Sequence, residues 1–279
     1  MKVLVTGVSG QLGFDVMREL LARGIEAKGA SRSDFSLTDF AAMRRFVEAH
    51  RPTAIIHCAA YTAVDKAEDE PELCREVNAA ATGELARLAK EIGAKFLYIS
   101  TDYVFPGTGE DFYEPEDEKA PCNVYGESKL LGEEAALEAL EELFIVRISW
   151  VFGENGKNFI KTMLRLAETH EELSVVGDQI GSPTYTRDLA RLLADMIETR
   201  KYGVYHATNE GTCSWAELAA EALRCAGKKT RVKAIKTEEY PTKAKRPKNS
   251  RLSKKCLDDA GFSRLPDWRD AVARYVDLI

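Results

Sequence analysis

The sequence predicts an open α/β fold: a doubly wound parallel sheet followed by a smaller C-terminal α/β lobe. Three observations predict it. Short apolar runs alternate with longer amphipathic ones through the first half. A glycine-rich turn follows the first of those runs within a dozen residues of Met1. After about Trp150 the alternation loosens, without a linker, a repeat or a low-complexity stretch.

The runs Lys2–Thr6, Ala54–Ala59, Phe96–Ser100 and Phe144–Ser149 are predominantly apolar, as strands buried on both faces are, and Glu26–Ala30 is a weaker member of the set. Helices are expected over Gln11–Arg23, Phe40–His50, Leu73–Ile92 and Ser128–Ala139. In the second half, Asn158–Thr169 has a helical pattern and Leu173–Val176 that of a short strand. Leu189, Leu192, Leu193, Met196 and Ile197 fall on one helical face. Ser214 and Glu217 have the spacing of a capping box, and Trp268–Leu278 suits a terminal helix. The expected division is residues 1–150 for a nucleotide-binding domain and 151–279 for a lobe packed on it, mainly for substrate.

The 279 residues carry 39 basic and 45 acidic side chains, a net charge of −6, which argues against nonspecific nucleic-acid binding. The six cysteines form no CxxC pair and no cluster with histidine at zinc spacing, so reduced thiols are expected. The N-terminus runs directly into a strand, and no apolar run approaches the ~20 residues that span a membrane. A cytoplasmic protein with no membrane or nucleic-acid partner is expected.

In Val3-Leu4-Val5-Thr6-Gly7-Val8-Ser9-Gly10-Gln11-Leu12-Gly13, a strand is followed by glycines at 7, 10 and 13 and then by a helix. Glycines there permit a tight turn and close approach to a pyrophosphate, and the helix start offers free N–H groups. The context is that of a Rossmann-type dinucleotide site. The bland alternative is a turn that merely packs strand on helix. At the end of the second strand an acid would favour NADH and an arginine NADPH. Ser31 and Arg32 stand there, which favours NADPH with NADH still possible, although Asp34 follows closely.

Tyr125-Gly126-Glu127-Ser128-Lys129 lies at the opening of a helix, so Tyr125 and Lys129 share a face. A phenol titrates near ~10, too high for proton transfer at neutrality, and an ammonium beside it would lower that value. The strand ending in Ser100-Thr101-Asp102 places hydroxyls where open α/β sheets bind ligands. Ser100 or Thr101 could donate to a carbonyl oxygen that becomes an alkoxide. Strand capping and turn formation are the structural alternatives for these hydroxyls. Thr242–Lys255 holds Lys243, Lys245, Arg246, Lys248, Arg251, Lys254 and Lys255 and no acid. A solvated basic loop would explain it. A diphosphate site would too, with Arg246 the best candidate for a bidentate grip.

These motifs, with His57-Cys58-Ala59-Ala60-Tyr61-Thr62, Tyr103-Val104-Phe105, Arg147 to Gly153, Gln179 to Thr184 and Arg246-Pro247, resemble the extended short-chain dehydrogenases/reductases. Within them they are similar to the dTDP-4-dehydrorhamnose reductase family over nearly the whole chain. The resemblance implies NAD(P)H-dependent reduction of the 4-keto group of dTDP-4-dehydro-L-rhamnose, a step of polysaccharide-precursor synthesis. It implies Tyr125 as proton donor, Lys129 as its partner and Thr101 as the group that polarises the carbonyl. It assigns Gly7, Ser9, Gly10, Gln11, Leu12 and Gly13 to the cofactor pyrophosphate and Ala59, Ala60 and Tyr61 to the cofactor wall. Leu37 is taken with the adenosine side, where Ser36 replaces a frequent aspartate of the family. Thr62, Val64, Tyr103 and Trp150 would border the sugar. Some members join two subunits through magnesium. Asp15 matches one carboxylate in type but Tyr185-Thr186-Arg187-Asp188 does not supply the rest, so no metal ligand is assigned and a homodimer is left open. The alternatives are an epimerase or dehydratase of the same fold, disfavoured by Tyr103 where dehydratases carry an acid, and a noncatalytic cofactor-binding subunit.

Overall fold

The computed structural model describes residues 1–279. Five strands of the first half, β1 (Lys2–Thr6), β2 (Glu26–Ala30), β3 (Ala54–His57), β4 (Lys95–Thr101) and β5 (Leu143–Ile148), lie parallel. The second half adds the short strands β6 (Glu172–Val176), β7 (Gly203–His206) and β8 (Arg231–Ile235). Of these, β7 joins the main sheet, also parallel, giving the order β2-β1-β3-β4-β5-β7. Strand order reverses between β1 and β3, and a crevice at such a reversal is where open α/β sheets take ligands. The pair β6 and β8 is parallel and belongs to the second lobe.

Helices cover both faces: α1 (Gln11–Ala22), α2 (Phe40–His50), α3 (Ala81–Ile92) and α4 (Val124–Ala139) from the first half. From the second half come α5 (Phe159–Leu166), α6 (Thr186–Glu198), α7 (Trp215–Cys225) and α8 (Trp268–Val276). The two faces make two cores. Val3, Val5, Ile56, Leu97 and Val146 pack with the apolar stripe of α6, so a second-half helix closes one face of the sheet. Leu4, Ile55, Phe96, Tyr98 and Ile145 pack against α2, α3 and α4. Alternate residues of each strand thus enter opposite cores, which explains the near-continuous apolar runs. The capping box on α7 forms as expected: the Ser214 side chain accepts from the Glu217 N–H, and the Glu217 carboxylate accepts from the Ser214 N–H. No helix is long and apolar enough to cross a membrane.

One expected element is interrupted. The helix foreseen over Leu73–Ile92 consists of Pro71–Arg75, a π-helical turn Glu76–Ala80, and α3. Such turns are rare and cluster at functional sites. This one holds Asn78, a buried polar residue discussed below.

Candidate active site

The glycine loop joins β1 to α1. Gly7 has φ +71°, and its N–H donates to the Ala30 carbonyl, 2.9 Å. Gly13 is required by close approach: a Cβ there would collide with the Gly7 carbonyl. The N–H groups of Gln11, Leu12 and Gly13 have no backbone acceptor, and the N-cap Gly10 has no side chain to offer one. Three free donors at a helix start, in a cradle that side chains would fill, fit a dinucleotide pyrophosphate. Asn155 reaches over from the second half and donates to the Ser9 and Gly10 carbonyls at 2.8 and 3.2 Å. Asn158 donates to the Gln11 side chain at 3.0 Å.

Ala59, Ala60 and Tyr61 follow β3 on the other side of the crevice. The Ala59 N–H donates to Thr6 Oγ1, 3.1 Å, and Tyr61 is held by both backbone groups: its N–H donates to Asn78 Oδ1, 2.8 Å, and its carbonyl accepts from Asn78 Nδ2, 3.1 Å. Asn78 also donates to Ser128 Oγ, 2.9 Å, one residue before Lys129. The π-helical turn therefore ties the segment after β3 to the helix that carries Tyr125 and Lys129. A lone asparagine inside the apolar pattern Val77–Ala81 was the available signal for it.

At the end of β2, Asp34 is occupied locally. Its carboxylate accepts from the Ser31 N–H and hydroxyl, both 2.8 Å, which holds it below the usual carboxylate range. Arg32 is exposed and forms no ion pair, and Leu37 packs half-buried against the second core.

Thr101 ends β4 and Tyr125 sits in the first turn of α4, whose start is fixed by Asn123 accepting from the Gly126 N–H, 2.8 Å. The Tyr125 hydroxyl lies beside Thr101, and its ring meets Tyr103 edge-on at 5.5 Å. Burial pushes the Tyr125 phenol well above its usual range, and the Thr101 contact pulls the other way. Thr101 donates to Asp102 Oδ1, 3.0 Å, and burial pushes that carboxyl up to about 6. Ser100 is engaged in the same way, donating to buried Glu133, 2.5 Å, and of the two hydroxyls Thr101 is the one beside Tyr125.

Lys129 is buried one turn below Tyr125. Its ammonium donates to the Ile99 carbonyl, 2.6 Å, and lies 4.0 Å from the Tyr98 ring centre. No hydrogen bond joins it to Tyr125, so the phenol is governed by burial and not by the ammonium, contrary to the sequence expectation. Burial lowers Lys129 itself to about 7. A depressed lysine costs stability wherever the unfolded chain is protonated and the folded one resists it. Stability from this group is full above about 10.5, falls as pH drops toward 7, and is lost below it. Lys129→Met is therefore expected to raise the urea midpoint most at pH 7 or below and little near pH 10, measured by urea titration at both values.

Val64 begins the short helix Val64–Ala67, and Thr62, just before it, is exposed. Asp65, in that helix, pairs with Arg246 Nη2 at 2.6 Å, and Arg246 Nη1 donates to the Tyr103 hydroxyl at 3.2 Å. Arg246 thus reaches the site. The basic run is not a free cation cluster: Lys243, Arg246, Lys248 and Lys254 have carboxylate partners in Asp69, Asp65, Asp178 with Glu238, and Glu210. Trp150 follows β5, adjacent to the end of β4. Asp15 accepts from the Thr186 hydroxyl and pairs with Arg18, and Glu154 pairs with Arg18 and Arg187. These acids are held by guanidinium groups and no cluster of three metal-ligating side chains exists, so they do not fit a magnesium site within one chain.

The whole chain, residues 1–279, matches the family model described as RmlD substrate binding domain. The dTDP-4-dehydrorhamnose reductase of Escherichia coli K12 is 40% identical over 292 residues, covering 99% of this chain and 97% of the relative. The chain belongs to the dTDP-4-dehydrorhamnose reductase family. A crystal structure of the family's Bacillus anthracis member in complex with NADP is 41% identical, with TM-score 0.97 and full coverage of both chains. Another relative, the spore coat polysaccharide biosynthesis protein SpsK of Bacillus subtilis, is 40% identical and covers 99% of this chain and 96% of its own. The UDP-glucose 4-epimerase of Thermus thermophilus, at 21% identity and TM-score 0.84, shares the fold.

Proposed function

We propose that this family member reduces the 4-keto group of dTDP-4-dehydro-L-rhamnose with NADPH, yielding dTDP-L-rhamnose for polysaccharide synthesis in the cytoplasm. The observation that carries it is the meeting of Thr101 and Tyr125 at the carboxyl end of β4, on the same edge of the sheet as a glycine loop with three free N–H donors. Gly7, Ser9, Gly10, Gln11, Leu12 and Gly13 would hold the pyrophosphate, Ala59, Ala60 and Tyr61 the wall, and Lys129 the ribose next to the nicotinamide. The bound cofactor supplies hydride to the sugar carbonyl carbon. The Tyr125 phenol is protonated at neutral pH, and although burial makes it a weaker acid, the developing alkoxide is a stronger base than a phenolate and would take its proton. Thr101 lies beside the same phenol and helps orient the oxygen. Thr62, Val64, Tyr103 and Trp150 would border the sugar. Arg246 still has unused N–H donors for the diphosphate after its bonds to Asp65 and Tyr103. Residues 1–150 would serve mainly cofactor and 151–279 mainly substrate.

The test is oxidation of NADPH and NADH with dTDP-4-dehydro-L-rhamnose generated in situ. One equivalent of nicotinamide oxidised per sugar supports the reading, and sugar conversion without net oxidation would replace it with epimerisation. Because Asp34 is tied to Ser31 and Arg32 is free, Arg32 is the group available to a ribose 2′-phosphate. Arg32→Ala is expected to raise KM for NADPH about 10- to 100-fold, the scale of hydrogen bonds to a charged group. NADH kinetics should stay within about 2-fold, as steady-state assays with each cofactor would measure.

A further inference from the structure

Trp150 has a backbone that bulky residues rarely adopt, with φ +49°. Three contacts hold it there. Its carbonyl accepts from the Thr184 N–H, 3.2 Å. Its indole edge lies over Gly181, where a Cβ would stand 2.9 Å from Cε2 and 3.0 Å from Cζ2 of the ring, so only glycine leaves room. Its face stacks on the Trp215 indole, with centroids 3.8 Å apart and planes at 16°. Trp215 is the first residue of α7, directly after the Ser214 capping box, and Phe159 packs against it at 4.7 Å.

The same contacts lead to the reacting groups. A Cβ on Gly181 would also stand 2.9 Å from the Ser250 Cβ, so that serine is the other neighbour of the glycine. Ser250 adjoins the Asp102 carboxyl, which accepts from Thr101. An aromatic pair anchored in the second lobe is thus built up to the catalytic hydroxyl.

We infer that Trp215 is a positioning residue: by stacking on Trp150 it holds that indole as a fixed wall of the sugar pocket, and so sets substrate affinity without touching the reacting atoms. The inference rests on the reading that Trp150 borders the sugar. An indole face suits the C–H-rich face of a deoxyhexose. Without its stacking partner, Trp150 has less to hold it in the left-handed conformation, and relaxing to negative φ would swing the ring away.

The experiment compares Trp215→Ala, Trp215→Phe and Trp150→Ala with the unmodified protein. It reads KM and kcat for the keto sugar, calorimetric Kd for dTDP-L-rhamnose, and melting temperature. Trp215→Ala is expected to raise KM and Kd about 5- to 10-fold, the range of an aromatic pair, with kcat within about 2-fold. Trp215→Phe should recover most of the affinity, and Trp150→Ala should lose at least as much as Trp215→Ala. Should Trp215→Ala melt below the assay temperature, Trp215→Leu keeps apolar volume without a stack and carries the same expectation. Normal binding by Trp215→Ala or Trp215→Leu beside weak binding by Trp150→Ala overturns the inference while leaving Trp150 in the pocket. Normal binding by Trp150→Ala removes Trp150 from the sugar wall and overturns both, while stoichiometric NADPH oxidation would still stand.

Discussion

Tyr125→Phe is expected to lower kcat by at least about 100-fold, the scale of lost general acid catalysis. The substitution removes one oxygen. The ring keeps its edge contact with Tyr103 at 5.5 Å and its place in the first turn of α4. The glycine loop, the Asn78 bonds to Tyr61 and the Lys129 bond to Ile99 do not involve the phenol oxygen, so cofactor affinity should stay within about 2-fold. Stability should not fall, because the hydroxyl is costly to bury and its strong upward pKa displacement comes from that burial. A deficit confined to kcat is the signature of an interaction made in the transition state. Steady-state kinetics with a cofactor titration checks it. Turnover near normal would remove Tyr125 from the chemistry.

What was legible in the sequence is what is local. The strand, three glycines and helix of residues 2–22 carry their own signal, and the helix Phe40–His50 has the bounds that its periodicity gives. The pairing of Thr101 with Tyr125 was legible because each lies next to a recognisable element end. Features that depend on distant partners were not. The π-helical turn at Glu76–Ala80 holds Asn78, whose side chain reaches the distant Tyr61 and Ser128. β7 is four residues long and starts on a glycine, too short to show a period, and it is a strand because the edge of β5 awaits it. The acids that pair with Lys243 and Arg246 lie in the helix Val64–Ala67 and just after it, over 170 residues away in sequence. Likewise, the ammonium of Lys129 shares a helix face with Tyr125 as the spacing requires, yet it turns to a backbone carbonyl. A spacing argument fixes which side chains share a face but not where their ends go.

The second large effect is expected on stability, beneath the hydroxyls of Thr101 and Tyr125. Arg147 on β5 and Glu133 on α4 are both almost wholly buried and form a two-pronged pair, Nε to Oε1 at 2.9 Å and Nη2 to Oε2 at 2.7 Å. Ser100 gives Glu133 a third hydrogen bond, and Arg147 Nη1 donates to the Pro115 carbonyl, 2.9 Å. The guanidinium also lies 5.1 Å from the Phe105 ring centre. His206 approaches Nη1 at 3.4 Å, and burial with the adjacent guanidinium holds its imidazole at about 3, neutral at any physiological pH. Arg147→Leu strands a carboxylate whose remaining donor is one serine, and it should cost about 3–5 kcal/mol, as broken buried pairs do. Removing the partner as well reverses most of that loss. Glu133→Leu with Arg147→Leu leaves no stranded charge, and buried pairs exchanged for apolar side chains are often neutral in stability. Urea unfolding of the two single variants and the double variant measures this as a thermodynamic cycle. A single-variant cost below about 1 kcal/mol would mean that water reaches the pair. Destabilisation of the double variant equal to the sum of the singles would mean that the two charges stabilise the fold independently. The expected result, one large loss largely cured by a second substitution, would make the pair a determinant of how β4, β5 and α4 dock, and hence of where Thr101 and Tyr125 meet.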